Sequence, residues 1–413
     1  MYEDQPLIDP KVLEGISKDI KQTHPKLFLE AFTDEDVRDV LTDIVYKKNS
    51  TVLNTQERLD YVIQEMVGLG VIETIIKNPD VTDISYNGTD LIVNTNTTGK
   101  YLYDKPIDED YIIKIIQKFA NAVNKEFTPK QPILDAQLKN LRLNAVHKVS
   151  APYGTTMALR VTRPKLALTV DNFEDFAPMY MYDFFESAIK ARANIIIAGE
   201  VGTGKTEFQK LLMSFVPFEQ KIIWIEDVLE GHIKELFPDK DVHSWLTSDL
   251  TGIHDLTKAG LRNNGAWISV AEIRGSEAFE LLNAVLSGHN IATTLHSVNA
   301  RAIPSRFLNM VKMSNDNINE KTLLNDIKSY IQFGVHIKKT TINGKIRRYL
   351  SEVVEFRPEG DIVIFKQTLT KKGFEIICNP YSSEHQERLM EYHSDYELDY
   401  FKEWGNEKTK VYA

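Results

Sequence analysis

The sequence predicts an α/β protein with a mostly parallel sheet, preceded by an α+β N-terminal domain. Between residues 194 and 295, short apolar segments alternate with amphipathic helical segments, a pattern typical of parallel strands joined by crossover helices. A glycine-rich stretch, GEVGTGKT at residues 199–206, directly follows the first of these apolar strands. Shorter strands with a tight-turn signal come earlier in the chain, which favours a separate α+β domain there.

The composition is that of a globular protein with more than one domain. The chain has 413 residues, of which 42% are hydrophobic and 26% are charged, and this length suits about two or three domains. The formal net charge is −10, which argues against chain-wide binding of a polyanion, although a local basic groove remains possible. We therefore expect no direct sequence-specific binding of nucleic acid.

The single cysteine, Cys378, excludes a disulfide framework and a cysteine zinc site. Its apolar neighbours Ile376 and Ile377 predict a buried thiol in a strand, which fits a reducing cytosol. The polar N-terminus shows no signal peptide, and no apolar stretch approaches the roughly 20 residues of a spanning helix. We expect a cytoplasmic protein whose membrane contact is peripheral or made through a partner.

The N-terminal half predicts a helical extension over residues 1–54 and an α+β domain over residues 55–163. The tight reversal at Asn87-Gly88 separates the first two strands, because this pair favours positive φ. Turn-forming residues then predict a linker over 164–180. The predicted elements of the α+β domain are a helix at 56–67, strands at 81–86 and 91–94, a helix at 108–123, and strands at 141–149 and 155–161.

The second half predicts the α/β domain over residues 181–357, followed by a C-terminal strand and acidic tail over 358–413. Asn343-Gly344 indicates a hairpin, and the tail from Ser382 is expected to be a helix on the outer surface or partly disordered. The predicted helices are 181–191, 207–215 and 277–286; the predicted strands are 194–198, 221–225, 267–271, 291–295, 333–338, 348–356 and 362–367.

The stretch at 199–206 matches G-x-x-x-x-G-K-[ST] in full, between a strand and a helix. Its glycines let backbone N–H groups converge on phosphate oxygens, and the following helix adds its positive end. Lys205 is expected to reach the β and γ phosphates of ATP, and Thr206 to ligate Mg²⁺. The candidate nucleotide-binding residues are Gly199, Glu200, Val201, Gly202, Thr203, Gly204, Lys205, Thr206 and Glu207.

Carboxylates end two further strands of the predicted parallel sheet. Glu226 and Asp227 follow one strand, and Glu272 follows another, so they are expected at the edge where such sheets bind ligands. Glu226 and Asp227 can orient water or Mg²⁺, and Glu272 is the candidate residue that polarises the attacking water. His296, in TTLHS after a third strand, could sense or stabilise the γ-phosphate.

Together these elements resemble the secretion (traffic) ATPase superfamily. GEVGTGKT, IEDVLE, ISVAEIRGSEAF and SGHNIATTLHS stand in the superfamily's order of Walker A loop, acidic box, Walker B and histidine box. GLGVIETIIKNPDVTDISYNG is similar to the domain entry of the CpaF-like and VirB-eleven-like branch, which serves Tad pili and type IV secretion. The spacing of the histidine box is closer to the type II secretion and type IV pilus branch.

The resemblance implies a homohexameric ATPase docked on an integral membrane platform or channel of a secretion or pilus machine. It implies a RecA-like ATPase domain after the N-terminal domain, with nucleotide bound between the two. It further implies that N-terminal arginines reach the nucleotide, and Arg262 matches the first arginine of a superfamily motif. The N-terminal candidates are Arg142, Arg160 and Arg163.

Three functions remain open on the sequence. The first is an ATP hydrolase that powers type IV secretion, conjugation or a Tad-type pilus, with a type II secretion or type IV pilus motor as its variant. The second is a nucleotide-gated assembly platform with little hydrolysis. The third is a nucleic-acid motor, which would need a basic channel that the net charge does not favour.

Overall fold

The computed structural model describes residues 7–248, 250–314, 319–342, 345–392 and 410–412. The chain forms two compact units, Met1–Thr162 and Arg163–Ala413, and each is described by itself. The boundary falls one residue before the predicted end of the N-terminal domain at 163. No helix within the described ranges is both long enough and apolar enough to cross a membrane.

The N-terminal unit begins with four helices: α1 (Pro10–Thr23), α2 (Pro25–Glu30), α3 (Glu35–Asn49) and α4 (Gln56–Val67). Side chains of Asp34 and Thr55 accept backbone N–H bonds at the starts of α3 and α4, as helix N-caps do. The helices bury one cluster that includes Ile20, Leu41 and Val62. The predicted division at 54/55 therefore runs through a packed core, because α4 closes the helical cluster.

A six-stranded antiparallel sheet of order β3-β2-β1-β6-β5-β4 completes this unit, as the α+β prediction requires. Helix α6 packs Ile112, Ile116 and Phe119 into its core. Gly88 has a φ of +105° at the reversal between the first two strands, as the Asn-Gly pair predicts. The elements are α5 (Val71–Ile76), β1 (Val81–Tyr86), β2 (Leu91–Thr95), β3 (Gly99–Leu102), α6 (Glu109–Ala122), β4 (Ile133–Leu138), β5 (Leu141–Val146) and β6 (Thr156–Val161).

The predicted linker over 164–180 differs from the structure. A 3₁₀ helix (Val170–Asp175) precedes α7 (Met179–Lys190), and Phe173 and Phe176 are buried in the core of the C-terminal unit. The Phe176 ring lies 5.6 Å from that of Phe208. The segment is rich in turn formers, but its two phenylalanines anchor it, so its second half is part of the folded unit.

The parallel part of the C-terminal unit consists of two groups of strands. One is a three-stranded sheet, β10-β8-β9, and the other places β11 and β12 on either side of β7. Strands β7, β8, β10 and β11 are fully buried, as expected for strands covered on both faces. The elements are β7 (Ile195–Gly199), α8 (Lys205–Ser214), β8 (Ile222–Glu226), α9 (Ile233–Leu236), β9 (Val242–Leu246), α10 (Ile253–Leu261), β10 (Trp267–Val270), α11 (Glu277–Leu286) and β11 (Ala292–Leu295).

An antiparallel extension continues the sheet beyond β7. Strand β12 is parallel to β7, and each following strand is antiparallel to its neighbour. The predicted boundary at 357/358 therefore separates strands of one sheet. The elements are α12 (Ile303–Lys312), α13 (Glu320–Tyr330), β12 (Phe333–Ile342), β13 (Lys345–Glu355), β14 (Ile362–Thr370), β15 (Gly373–Cys378), α14 (Ser383–Tyr392) and β16 (Lys410–Tyr412).

Two predictions for the C-terminal region have clear outcomes. Cys378 is buried at the end of β15, which confirms the prediction. Helix α14 begins at Ser383, where a surface helix was expected, and most of its residues are exposed, while His385 and Leu389 are buried. The predicted hairpin pair Asn343-Gly344 and residues 393–409 of the tail lie outside the described residues.

Candidate functional site

The glycine loop connects β7 to α8 and wraps around the Lys205 ammonium. Lys205 Nζ donates to the carbonyl oxygens of Gly199 and Glu200, each at 3.1 Å, and the Thr203 hydroxyl donates to Glu200 O at 2.9 Å. Burial lowers the pKa of Lys205, against the opposing attraction of Glu272. The lysine is thus held inside the loop with its charge close to the start of α8.

The loop backbone needs glycine where it turns. Gly202 and Gly204 have φ values of +75° and +93°, which L side chains resist. A Cβ on Gly199 would lie 2.6 Å from Ile337 O and 2.7 Å from the Thr203 hydroxyl. The glycines therefore allow a close-packed turn that continues into a helix N-terminus, an arrangement that fits a phosphate chain.

Glu272 lies just beyond β10 and contacts the side chains of Arg274 and His296. Its Oε2 accepts a 3.0 Å hydrogen bond from Arg274, and its Oε1 lies 2.8 Å from His296 Nε2. Oε1 has no hydrogen bond of good geometry among the described residues, so the contact with His296 is a close approach and not a hydrogen bond. Burial alone would raise the pKa of Glu272, but Arg274, with His296 and Lys205, holds it below its usual value.

His296 connects the glycine loop to this carboxylate. Its Nδ1 lies 3.0 Å from Gly199 O and 3.5 Å from Lys205 Nζ. Which of these contacts is a hydrogen bond depends on the tautomer: with a proton on Nδ1 the ring donates to the loop carbonyl, and without one Nδ1 can accept from Lys205. The structure therefore brings together Lys205, Glu272 and His296, which come from three separate motifs.

Arg274 was not predicted as a site residue, although it is only two positions after Glu272. Its guanidinium lies 3.3 Å from Asp227 Oδ2 as well as 3.0 Å from Glu272 Oε2. Asp227 also accepts a 3.2 Å bond from the Thr247 hydroxyl. Arg274 thus contacts both Asp227 of the acidic box and Glu272. Asp227 is connected to Glu272 through this arginine.

Glu226 has a different environment from the one that a role at the phosphates requires. Its side chain is buried, and Oε2 accepts the backbone N–H groups of Glu230 and Gly231 at 3.0 and 2.8 Å. Burial raises its pKa despite these bonds. The described contacts of Glu226 therefore organise the 227–231 loop, because the side chain turns inward at the end of β8.

The remaining predicted residues of this unit fall into different places. Arg262 is exposed at the end of α10 and makes no ion pair or side-chain hydrogen bond with the site within the described ranges. Glu207 pairs with the buried Lys210 at 2.8 Å and accepts the Ala167 N–H at 3.2 Å. The side chains of Glu200 and Val201 are exposed, and Thr206 is in the first turn of α8.

Two of the three arginines predicted before the linker lie in the N-terminal unit. Arg142 and Arg160 are direct neighbours on β5 and β6, and they pair with Asp135 and Asp83 at 3.4 and 3.0 Å. Arg163 is the first residue of the C-terminal unit, and burial lowers its pKa. A role for these three residues at a nucleotide remains a prediction.

A group of buried hydrogen bonds made by Gln209 and Ser269 was not predicted from the sequence. Gln209 Nε2 donates to Val270 O at 3.0 Å and to Ala292 O at 2.8 Å, and the Ser269 hydroxyl also bonds to Ala292 O. These bonds tie α8 to the last residue of β10, which precedes Glu272 by two positions, and to the first residue of β11. Ser269, a polar residue in an otherwise apolar strand, was the available signal.

His336 on β12 was also missed, and nothing in its sequence surroundings marks it. It is buried, and its Nδ1 lies 2.6 Å from the Ser351 hydroxyl. Burial lowers the pKa of His336 to about 4, although a bond to the Ser297 backbone opposes this. A neutral His336 therefore links the central strands to the residue that follows His296.

The residues of the loop fit a nucleotide with its magnesium ion. A glycine turn, a buried lysine and a helix N-terminus supply the groups that bind phosphate oxygens, and the Thr206 hydroxyl is available for Mg²⁺. Within the described ranges, no group of three or more His, Cys, Asp or Glu residues could hold a metal ion. A hard oxygen donor such as the Thr206 hydroxyl suits Mg²⁺ carried on a phosphate chain.

Comparisons with known proteins agree with this site. The profile of the type II/IV secretion system protein family matches residues 114–332. An uncharacterised Bacillus anthracis protein is 44% identical over 408 residues, covering 94% of this chain and 92% of that protein. The type IV secretion system protein VirB11 of Brucella suis is 27% identical over 258 residues, covering 53% of this chain and 69% of that protein.

A solved structure also has the same fold. The Legionella pneumophila ATPase DotB superposes with a TM-score of 0.52 at 18% identity, covering 70% of this chain and 81% of DotB. At this identity the likeness shows the fold alone. The family profile spans more than half of the chain and includes the glycine loop, Glu272 and His296, so the chain belongs to the type II/IV secretion system protein family, a family of secretion ATPases.

Proposed function

We propose that this protein hydrolyses ATP as a motor subunit of a type IV secretion, conjugation or Tad-type pilus machine. One observation carries the proposal. The lysine of the glycine loop lies 3.5 Å from His296, which in turn lies 2.8 Å from Glu272. A phosphate-binding cation, a possible phosphate sensor and a possible general base are thus in one site.

Each residue has a role that follows from its position. Lys205 and the loop amides would bind the phosphates, and Thr206 would hold Mg²⁺, which neutralises charge on the phosphate oxygens. Glu272 is kept ionised by Arg274 and is suited to accept a proton from the attacking water. His296, which contacts both the loop and Glu272, would respond to the γ-phosphate.

The assembly is proposed as a homohexamer at the cytoplasmic face of the membrane, bound to an integral membrane platform or channel. Family membership and the similarity to VirB11 support this. In that assembly we propose that the nucleotide contacts Arg142, Arg160 and Arg163. Arg262 is proposed to take part in ATP hydrolysis. The narrower assignment to the type IV branch rests on the resemblance of residues 68–88 and on the relative named VirB11.

The test is steady-state ATP hydrolysis by the full chain with Mg²⁺. Lys205→Ala removes the cation inside the loop, so turnover and Mg²⁺-dependent ATP binding should both disappear. Lys234→Ala, which changes an exposed lysine on α9, is the matched control and should behave as wild type. Undiminished hydrolysis by Lys205→Ala would reject the proposal.

A nucleotide-gated platform is the second candidate, and a specific contact favours it. Both oxygens of Glu272 already contact a side chain, Arg274 at 3.0 Å and His296 at 2.8 Å, so the carboxylate must give up a contact before it can polarise water. A protein that binds ATP and assembles but hydrolyses it negligibly would be a platform of this kind. Mass photometry with and without ATP, beside the hydrolysis assay, separates the two.

A further inference from the structure

We infer that Arg348 is a positioning residue that holds the glycine loop in the shape that binds phosphate. The inference rests on the proposed function, since it concerns the affinity for ATP. Arg348 Nε donates to the carbonyl oxygen of Gly202 at 3.0 Å. The two residues are 146 positions apart in the chain, so the contact exists only because β13 passes the outer side of the loop.

A second cationic side chain lies beside Arg348. Lys339 on β12 is its direct partner in the antiparallel register, and Lys339 Nζ lies 3.5 Å from Val201 O. A Cβ on Gly202 would be 3.1 Å from Lys339 Nζ, and one on Gly204 would be 3.4 Å from Arg348 Cδ. The β12–β13 hairpin is therefore packed closely against the tip of the loop.

The contacts matter because a peptide unit is planar and trans, so that its C=O and N–H point in opposite directions. When Arg348 holds the carbonyl of Gly202 outward, the N–H of Thr203 must point toward the interior of the loop. Lys339 does the same for the peptide between Val201 and Gly202. Among the described residues, the Thr203 N–H donates one long 3.4 Å bond, to Glu200 O, which a phosphate oxygen can replace.

Cationic side chains thus contact the carbonyl oxygens of the loop from two sides. Lys205 holds Gly199 O and Glu200 O from within, and the hairpin holds Val201 O and Gly202 O from outside. Without the outer contacts, a turn with two positive-φ glycines can rotate its peptides at little cost. Arg348 restricts this rotation before the nucleotide binds, so the loop loses less conformational entropy on binding.

The hairpin also supports the segment that follows His296. Glu352 on β13 accepts the Ala300 N–H at 3.1 Å and pairs with Arg301 at 3.1 Å. The glycine loop and the histidine segment therefore share one rigid support. Arg347 offers a matched comparison, because its guanidinium lies 4.9 Å over the Phe374 ring and, among the described residues, makes no hydrogen bond or ion pair with the loop.

The experiment measures ATP–Mg²⁺ affinity by calorimetry for the full chain and its Arg348→Met, Arg348→Gln and Arg347→Met variants. Arg348→Met should weaken binding about tenfold or more, as loss of one charge-assisted hydrogen bond does. Turnover at saturating ATP should change much less than KM. Arg348→Gln should recover part of the affinity, because its amide can donate to Gly202 O, and Arg347→Met should bind as wild type.

Hydrogen exchange supplies the readout that a general folding role would not move. The amides of Gly202 and Thr203 should exchange faster in Arg348→Met, with exchange in β7 and β8 unchanged. Wild-type affinity in Arg348→Met would overturn the inference. So would equal loss in the Met and Gln variants, which would indicate that only the charge matters. If wild type itself fails to bind ATP, the proposed function fails instead.

Discussion

His296 Nε2 lies 2.8 Å from Oε1 of Glu272, although the two residues follow different strands, β11 and β10. The same imidazole reaches the carbonyl of Gly199 with its other nitrogen. A change at the glycine loop can therefore reach the carboxylate through a single side chain. This relationship makes Glu272 the residue whose substitution tests the mechanism most directly.

Glu272→Gln keeps the shape of the side chain and removes its charge. We expect turnover to fall by about 100-fold or more, the usual contribution of a general base, with ATP affinity nearly unchanged. Malachite-green hydrolysis and calorimetry measure the two quantities. Glu219→Gln, at an exposed position, is the control, and a Glu272→Gln variant with normal turnover would remove Glu272 from the mechanism.

Arg274→Gln should change the pH dependence of hydrolysis. Burial tends to raise the pKa of Glu272, and the hydrogen bond and charge of Arg274 reverse this effect. Without Arg274 the pKa should rise, so the acidic limb of the pH–rate profile should move to higher pH by about one unit. Arg306→Gln, which changes an exposed arginine on α12, should leave the profile in place. An unmoved limb in Arg274→Gln would contradict this account.

Glu207 is predicted to stabilise the fold rather than to bind nucleotide. Glu207→Ala leaves the buried Lys210 without its carboxylate and removes the acceptor of the Ala167 N–H. Since Glu207 is partly exposed, we expect a loss of about 2 kcal/mol in the free energy of unfolding, less than for a fully buried pair. Urea unfolding checks this.

The matched control for Glu207 is Glu186→Ala, which breaks an i,i+4 pair on α7 whose lysine, Lys190, is partly exposed where Lys210 is buried. This pair should contribute less than about 0.5 kcal/mol. If the two variants lose equal stability, the burial of Lys210 is not what makes Glu207 important.

His385 should make the C-terminal unit sensitive to acid. Burial among aromatic rings lowers its pKa to about 3, and within the described ranges neither ring nitrogen has a hydrogen-bond partner. The unfolded chain takes up a proton near pH 6.5 while the folded state does not, so stability should fall as pH drops below about 6.5. Each pH unit should cost about 1.4 kcal/mol until the folded pKa is reached.

His385→Leu removes the titrating group and keeps an apolar side chain among the aromatic rings. The stability of the variant should depend less on pH between about 6 and 4, as urea unfolding at a series of pH values would show. A variant with the same acid dependence as wild type would assign the effect to other groups.

Much of the fold could be predicted because the spacing of apolar residues along a helix or strand is a local property of the sequence. Strands β1, β7 and β8 and the helices α4, α8 and α11 lie within a few residues of their predicted positions. The predicted linker failed because Phe173 and Phe176 bury themselves against distant partners. No local pattern reveals whether an aromatic residue in a turn-rich segment faces water or the core of a neighbouring element.

By itself, the sequence determined the chemistry of the glycine loop, since its eight residues are contiguous and each acts through its own backbone or side chain. It also placed Glu272 and His296 at strand ends. Only the tertiary structure decided that Glu226 turns inward, that Arg274 joins Asp227 to Glu272, and that Arg348 contacts Gly202. These contacts depend on which strands lie side by side, and strand order comes from long-range packing that no local segment encodes.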